Sequence, residues 1–303
     1  MDAPDTSTQA SAFHDPAVDE RNQTQDRLGD AFDDAQLCPA FPPELERKIL
    51  TMAFYGDEKM KYSLNLLLVA HRAFQWLIPL VFEVVMVHNA ASWPPIQRFT
   101  PADIQRYGGY VRHLLVTSRT KSLPLYLPGC PNVTNLALVA FTRRYDNELL
   151  EALSNLPLKE LSINASLLSN LPPKLITLFG TITHLDTAYF SRWSTAALDS
   201  LLYFTRVTHL MVLDDQDTDK VLDTIIKRMP RLKLLVIASY SDRGEITEVE
   251  PRMADLDSRV VSIQYDFLRH WKSAAQGLDS PWLFAENVVE KRKREERSAT
   301  EEH

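Results

Sequence analysis

The chain has 303 residues, 45% of them apolar, and a net charge of −7. No stretch reaches the roughly 18–20 apolar residues of a membrane span, and the acidic start lacks the basic-then-apolar opening of a secretory signal. Residues 1–36 hold nine acids against Arg21 and Arg27, a net −7, so the remainder is near neutral and offers no field for nucleic acid.

In chain order, residues 1–36 are polar and acidic and cannot bury enough surface to offset the entropy of ordering, so they are expected to be a disordered tail. Cys38 and Cys130 are the two cysteines. In a chain without a signal they are expected to be buried and reduced, which fits the cytoplasm or nucleus. Helical order begins at Phe41-Pro42-Pro43-Glu44-Leu45, because proline suits a first helical turn. Leu45, Ile49, Leu50 and Ala53 then share one helical face, and Gly56-Asp57 breaks it. A second helix is expected from about Tyr62 to Arg72, with Leu64, Leu67, Leu68 and His71 on one side. A third passes through Phe74, Trp76 and Leu77 and ends near Pro79. Phe82 to Val87 reads as a strand. Residues 89–99 read as a loop, and Thr100-Pro101-Ala102-Asp103 carries the cap signals of a short helix that ends at Gly108-Gly109.

From there one phrase recurs: apolar, two residues, apolar, one residue, apolar. It is written at Val111-Leu114-Val116, Val133-Leu136-Leu138, Leu158-Leu161-Ile163, Ile182-Leu185-Thr187, Val207-Leu210-Val212, Leu232-Leu235-Ile237 and Val260-Ile263-Tyr265. Of these 21 slots only Thr187 is not apolar, and the middle residues step by 22, 25, 24, 25, 25 and 28. Val85 lies 29 residues before Leu114 and extends the series backwards. A strand core repeated every 20–29 residues is the leucine-rich-repeat signature. The fold class expected is therefore α/β: a short helical unit, then an irregular leucine-rich-repeat solenoid with a curved parallel sheet and outer helices. Helices are expected at 146–156 (Leu149, Leu150, Leu153, Leu156 inward), 194–204 (Leu198, Leu201, Leu202) and 217–229 (Val221, Leu222, Ile225, Ile226, Met229). Residues 241–258 read as a polar loop and 278–297 as a closing helix, since terminal repeats need a polar cap. The divisions are 1–36 tail, 37–82 helical unit, 83–270 solenoid and 271–303 cap.

Because strand side chains alternate, slots three, five and seven line the concave face. They read His113, Leu115, Thr117; Asn135, Ala137, Val139; Glu160, Ser162, Asn164; His184, Asp186, Ala188; His209, Met211, Leu213; Leu234, Val236, Ala238; and Ser262, Gln264, Asp266. The middle is polar and the Met211–Val236 end apolar. His184, Asp186, His209, Met211, Leu213, Leu234 and Val236 are the candidate partner-binding residues. Either the apolar end is open for docking, or the 241–258 loop or the C-terminal helix covers it. His184 and His209 share a slot in adjacent repeats, but a metal would want more ligands.

Residues 39–87 resemble an F-box: Phe41-Pro42-Pro43-Glu44-Leu45 with Ile49 downstream, then Leu66-Leu67-Leu68-Val69-Ala70-His71-Arg72 and Trp76. The order of F-box, repeats and a closing segment with Asp257-Ser258-Arg259-Val260-Val261 and Asp279-Ser280-Pro281-Trp282 is similar to the F-box-like repeat proteins of mushroom-forming, basidiomycete fungi. The resemblance implies a three-helix hook that docks on the Skp-type adaptor of a cullin–RING ubiquitin ligase through Pro42, Pro43, Glu44, Leu45, Ile49, Val69 and Trp76. The repeats would then present a protein substrate. Phe41 stands where the family has leucine, and the aromatic expected after Arg72 is displaced to Phe74 or Trp76. The alternative is a protein-binding scaffold whose degenerate F-box no longer engages the adaptor.

Eight glycines occur, none spaced as a dinucleotide fingerprint or phosphate loop, and no metalloprotease, nucleophile-elbow or Cys-x-x-Cys motif is present. No enzyme, cofactor or metal is therefore expected. The basic run Lys291-Arg292-Lys293-Arg294 sits among Glu290, Glu295 and Glu296 and reads as a solvated helix end before it reads as an import signal.

Overall fold

The computed structural model describes residues 41–55, 63–87, 99–117, 123–139, 147–164, 168, 180–187, 194–214, 218–241, 244–249 and 257–301. The acidic tail, Cys38, the Gly56-Asp57 break and most of the 89–99 loop lie outside them. The chain divides into two compact units, residues 1–49 and 50–303.

Helix α1 is Pro43–Tyr55, opened by backbone N–H bonds from Leu45 and Glu46 to the Pro42 carbonyl. In the second unit, α2 is the single turn Ser63–Leu66, and α3 runs His71–Glu83. Both differ from expectation. The second helix stops at Leu66 because residues 67–69 form a turn, and Ala70 takes an extended conformation before α3. The third does not end at Pro79. Losing one N–H bond inside a helix costs ~3 kcal/mol, but Val81 and Phe82 beyond it are buried with Phe54 and Leu77. Burying such side chains returns about 1.5–3 kcal/mol each.

The chain passes from α3 directly into strand β1, Val84–Val87. Helix α4, Pro101–Tyr107, opens with the expected capping box: Thr100 Oγ1 accepts from the Asp103 N–H, and the Asp103 carboxylate accepts from the Thr100 N–H. A 3-10 turn over Gly108–Tyr110 follows. Any Cβ at Gly108 would collide with the carbonyl oxygen of Gly129, so these two turns approach only through glycine.

Then come β2 (His113–Val116), α5 (Leu123–Tyr126), β3 (Asn135–Leu138), α6 (Asn147–Ser154), β4 (Glu160–Ile163) and β5 (His184–Asp186). After them run α7 (Thr195–Leu201), β6 (His209–Leu213), α8 (Thr218–Arg228) and β7 (Leu234–Tyr240). The chain closes with β8 (Thr247–Glu248), β9 (Val260–Tyr265), α9 (Phe267–Ala275) and α10 (Pro281–Glu301). The described strands form one sheet in the order β1-β2-β3-β4-β5-β6-β7-β9-β8, parallel except for β8. This is the strand-then-helix α/β architecture that the repeat predicts, and it fits a solenoid. Leu114, Leu136, Leu161, Leu185, Leu210 and Leu235 occupy one register row, and all are buried. With Val85 in register with Leu114, β1 does begin the sheet. On this face the leucines pack against Leu149 and Leu153 of α6, Ala197 and Leu201 of α7, and Leu222 and Ile225 of α8. Leu202, expected inward, is exposed, because α7 ends at Leu201 and the next residues turn away. Residues 241–258 are not wholly loop, since β8 adds an antiparallel edge to β9.

The last repeat departs from the written phrase. Leu235 faces Val260 across the sheet, not Ile263, so the pairing is shifted by three residues. An odd shift reverses the faces. Val261, Ile263 and Tyr265 point to the second face, while Val260 joins the helix-covered core. Ser262 and Gln264 are therefore off the face where they were expected. Asp266 caps α9, its side chain accepting from the Arg269 N–H.

Candidate functional site

The second face of the sheet, the one expected to be concave, is built from two register rows. His113, Asn135, Glu160, His184, His209 and Leu234 form the first; Leu115, Ala137, Ser162, Asp186, Met211 and Val236 form the second. Leu213 lies one step further, opposite Ala238. All seven candidate partner-binding residues therefore share this face, with polar groups in the middle and apolar ones towards β7.

The apolar end is covered. Helices α9 and α10 lie on it, burying Phe267, Trp271, Ala275, Ala285 and Val289 against Met211, Leu234, Val236, Val261 and Ile263. Amphipathic spacing explains the seat of α9: Phe267, His270, Trp271 and Ala275 fall at helical intervals on its buried side. At the sheet edge, Arg292 of α10 donates to the Val260 carbonyl and to Glu248, both at 2.7 Å. Lys291 pairs with Glu295, and Lys293 with Glu290. The basic run is thus tied into its own helix and to the edge of the sheet.

Where the covered end meets the polar middle, His184 and His209 stack with ring centroids 4.2 Å apart, and the Trp282 ring meets both edge-on. Each imidazole is oriented by the preceding threonine: Thr183 Oγ1 lies 2.9 Å from His184 Nδ1, and Thr208 Oγ1 lies 2.8 Å from His209 Nδ1. His209 Nε2 is 2.9 Å from the Glu286 carboxylate of α10 and donates to it. Burial, with the neighbouring His209, pushes His184 down to about 4, so it is neutral near pH 7. Burial also lowers His209, opposed by Glu286, and lowers His113 with help from Arg112. Among the described residues no group of three or more His, Cys, Asp or Glu is placed to hold a metal.

Beside the histidine pair a cleft opens between the sheet and the C-terminal helices. Its floor is Asn135, Glu160, Ser162, His184 and Asp186; its walls include Tyr265, Trp271 and Trp282. Counting its open mouth the cleft spans about 420 Å³, while the room a solute can occupy without displacing a side chain is about 30 Å³. That holds two waters or the tip of one side chain. Glu160 Oε2 accepts from Asn135 Nδ2 at 2.8 Å, and burial raises the pKa of its carboxyl. A second groove of about 580 Å³ along α10 is lined by charges of both signs, including Lys233, Arg259, Glu286 and Lys293. The cleft walls were not among the candidate residues. Their signal is the helical spacing of Phe267, Trp271 and Ala275, which straddles the expected boundary between solenoid and cap at 270/271.

The residues implied for adaptor binding are distributed as follows. In the first unit, Pro42, Pro43, Glu44, Leu45 and Ile49 are all exposed, with Leu45 and Ile49 one turn apart on α1. In the second unit Val69 is 70% exposed beside Leu68 at 84%, and Trp76 is half-buried on α3. Cys130 is buried, and burial pushes its thiol up to about 11, which keeps it protonated and inert. No described helix is long and apolar enough to cross a membrane.

No protein-family model matches the sequence, and no curated protein matches it.

Proposed function

We propose that the chain is a non-catalytic recognition subunit: the substrate receptor of a cullin–RING ubiquitin ligase. On this reading it is an F-box-like leucine-rich-repeat protein whose helices α1–α3 engage a Skp-type adaptor, while the second face of the sheet receives the protein to be modified. Transfer chemistry then belongs to other subunits, and the setting is cytoplasmic or nuclear. The observation that carries the reading is apolar side chain left in water on the helices where the resemblance implies docking. Leu45 and Ile49 stand out from α1 in the first unit, and Val69 from the turn after α2 in the second. Single exposed leucines are ordinary, but recurring exposure at those implied positions is what an unoccupied interface needs.

A second reading has its own observation. Helix α2 ends at Leu66 in a turn over 67–69, short of the Arg72 to which the second helix is expected to run. A shortened hook favours a protein-binding scaffold that has lost the adaptor.

Co-purification with a Skp-type adaptor separates the two. The expected outcome is that the full chain retains the adaptor and that Leu45→Asp with Ile49→Asp weakens retention by about 30-fold or more, the loss of a buried anchor pair. Circular dichroism of the variant must match that of the parent. A folded parent chain that never retains the adaptor leaves the scaffold reading.

A further inference from the structure

The cleft on the second face is chemically one-sided. Its floor carries two carboxylates, Glu160 and Asp186, and none of its described lining residues is a lysine or arginine. For Glu160 the described partner is the neutral Asn135 amide. The histidine beside it, His184, is held neutral by burial. Pro281 brings the N-terminus of α10 to the rim, but a helix end contributes about half a unit charge, less than a carboxylate. A cleft of this sign, walled by the rings of Tyr265, Trp271 and Trp282, suits a cation that tolerates partial desolvation and stacks on aromatic faces. A guanidinium is planar, weakly hydrated and armed with five donors for carboxylate and amide oxygens.

An independent feature points the same way. Trp271 is only 7% exposed and forms part of the wall, yet its indole Nε1–H has no hydrogen-bond partner among the described residues. A buried donor left unpaired calls for an acceptor. The occupant therefore carries a cation for the floor and an acceptor for the wall. An arginine within a polypeptide has both, in its guanidinium and its backbone carbonyls. The free volume admits the tip of one such side chain and excludes a nucleotide.

We propose that this cleft is a receptor for one arginine side chain of the bound protein, with Glu160 and Asp186 taking the guanidinium and Trp271 and Trp282 walling it. The proposal rests on the reading that this face of the sheet is the partner-binding surface, and it names the chemistry recognised there.

The test is a titration of the full chain, followed by tryptophan fluorescence, with N-acetyl-arginine methylamide, its neutral citrulline counterpart and free arginine. A ligand of this size is expected to saturate with a Kd of about 1 mM. The citrulline compound should bind at least about 10-fold more weakly, the scale of one lost charge-assisted contact. Glu160→Gln, which keeps shape and the Asn135 contact, should cause the same loss with an unchanged melting temperature; Asp186→Asn is the second variant. Absence of saturation, equal binding of the citrulline compound, or full binding by both variants overturns the proposal. Tighter binding of free than of blocked arginine overturns the polypeptide source. Adaptor retention reports separately: Glu160→Gln should leave it intact, and Leu45→Asp with Ile49→Asp should leave arginine binding intact, so the two readings fail independently.

Discussion

Thr187 fills an apolar slot of the repeat and is fully buried. A hydroxyl there is tolerable because its Oγ1 donates to the Met211 carbonyl at 2.8 Å, which removes most of the penalty of burying a polar group. His184 is different, because burial and the neighbouring His209 both disfavour its charged form. Its folded pKa of about 4 is below the usual 6.5, so the unfolded chain takes up the proton first as pH falls. The stability it permits is fully present above pH 6.5 and is lost progressively as pH drops towards 4. Glu160 runs the other way, since its raised carboxyl pKa favours the folded state at low pH. The difference between the parent and His184→Gln isolates the histidine. Melting temperatures of the parent should fall more steeply than those of the variant between pH 6.5 and 4, and parallel curves would remove the buried neutral histidine from the account.

Among the elements, α10 has the most consequence for the site, because it decides how much of the second face is open. Its anchorage is uneven. Ala285 and Val289 are buried in the shared core, Glu286 reaches His209, and among the described residues Arg292 alone ties the helix to the sheet edge, through the Val260 carbonyl and Glu248. Glu248 is on a two-residue strand and partly in water, so that ion pair is screened. The bond to the carbonyl is the stronger loss. Arg292→Ala should cost about 1–3 kcal/mol. Its amide hydrogen exchange should quicken over 281–301 and β8 while β3 and β4 keep their protection; uniform quickening would mean that α10 opens only with the whole molecule.

At the scale of the molecule, the sheet is apolar on both faces near β7 and β9, and two layers cover it: helices α6–α8 on one side, α9 and α10 on the other. The C-terminal helices therefore complete the core as well as capping the last repeat. Ending the chain after Asp266 should uncover Met211, Leu234, Val236, Val261 and Ile263. Five such side chains represent roughly 7–15 kcal/mol of burial, comparable to the whole stability of an ordinary domain. The truncated chain is expected to bind a hydrophobic dye strongly or to aggregate. A soluble truncation with no new dye binding would show that this face had no need of its cover.

Much of this was legible from residue order alone. Six register-matched leucines were placed by their period, the capping box at Thr100 by its spacing, and the polar middle and apolar end of the second face by the alternation of strand side chains. Those features are local: backbone geometry imposes the period, and one buried face makes a register unambiguous. The tertiary structure alone decided the rest. Strand β9 carries apolar residues at 260, 261, 263 and 265, so periodicity could not choose its register, and burial on both faces did. Pro79 stayed inside α3 because Val81 and Phe82 had a core to enter. The seat of α9 and α10 over the His184–His209 pair, and with it the carboxylate-floored, tryptophan-walled cleft, joins residues about 75–150 positions apart. An amphipathic helix announces that it will bury a face; which surface receives it is settled by packing among distant parts of the chain.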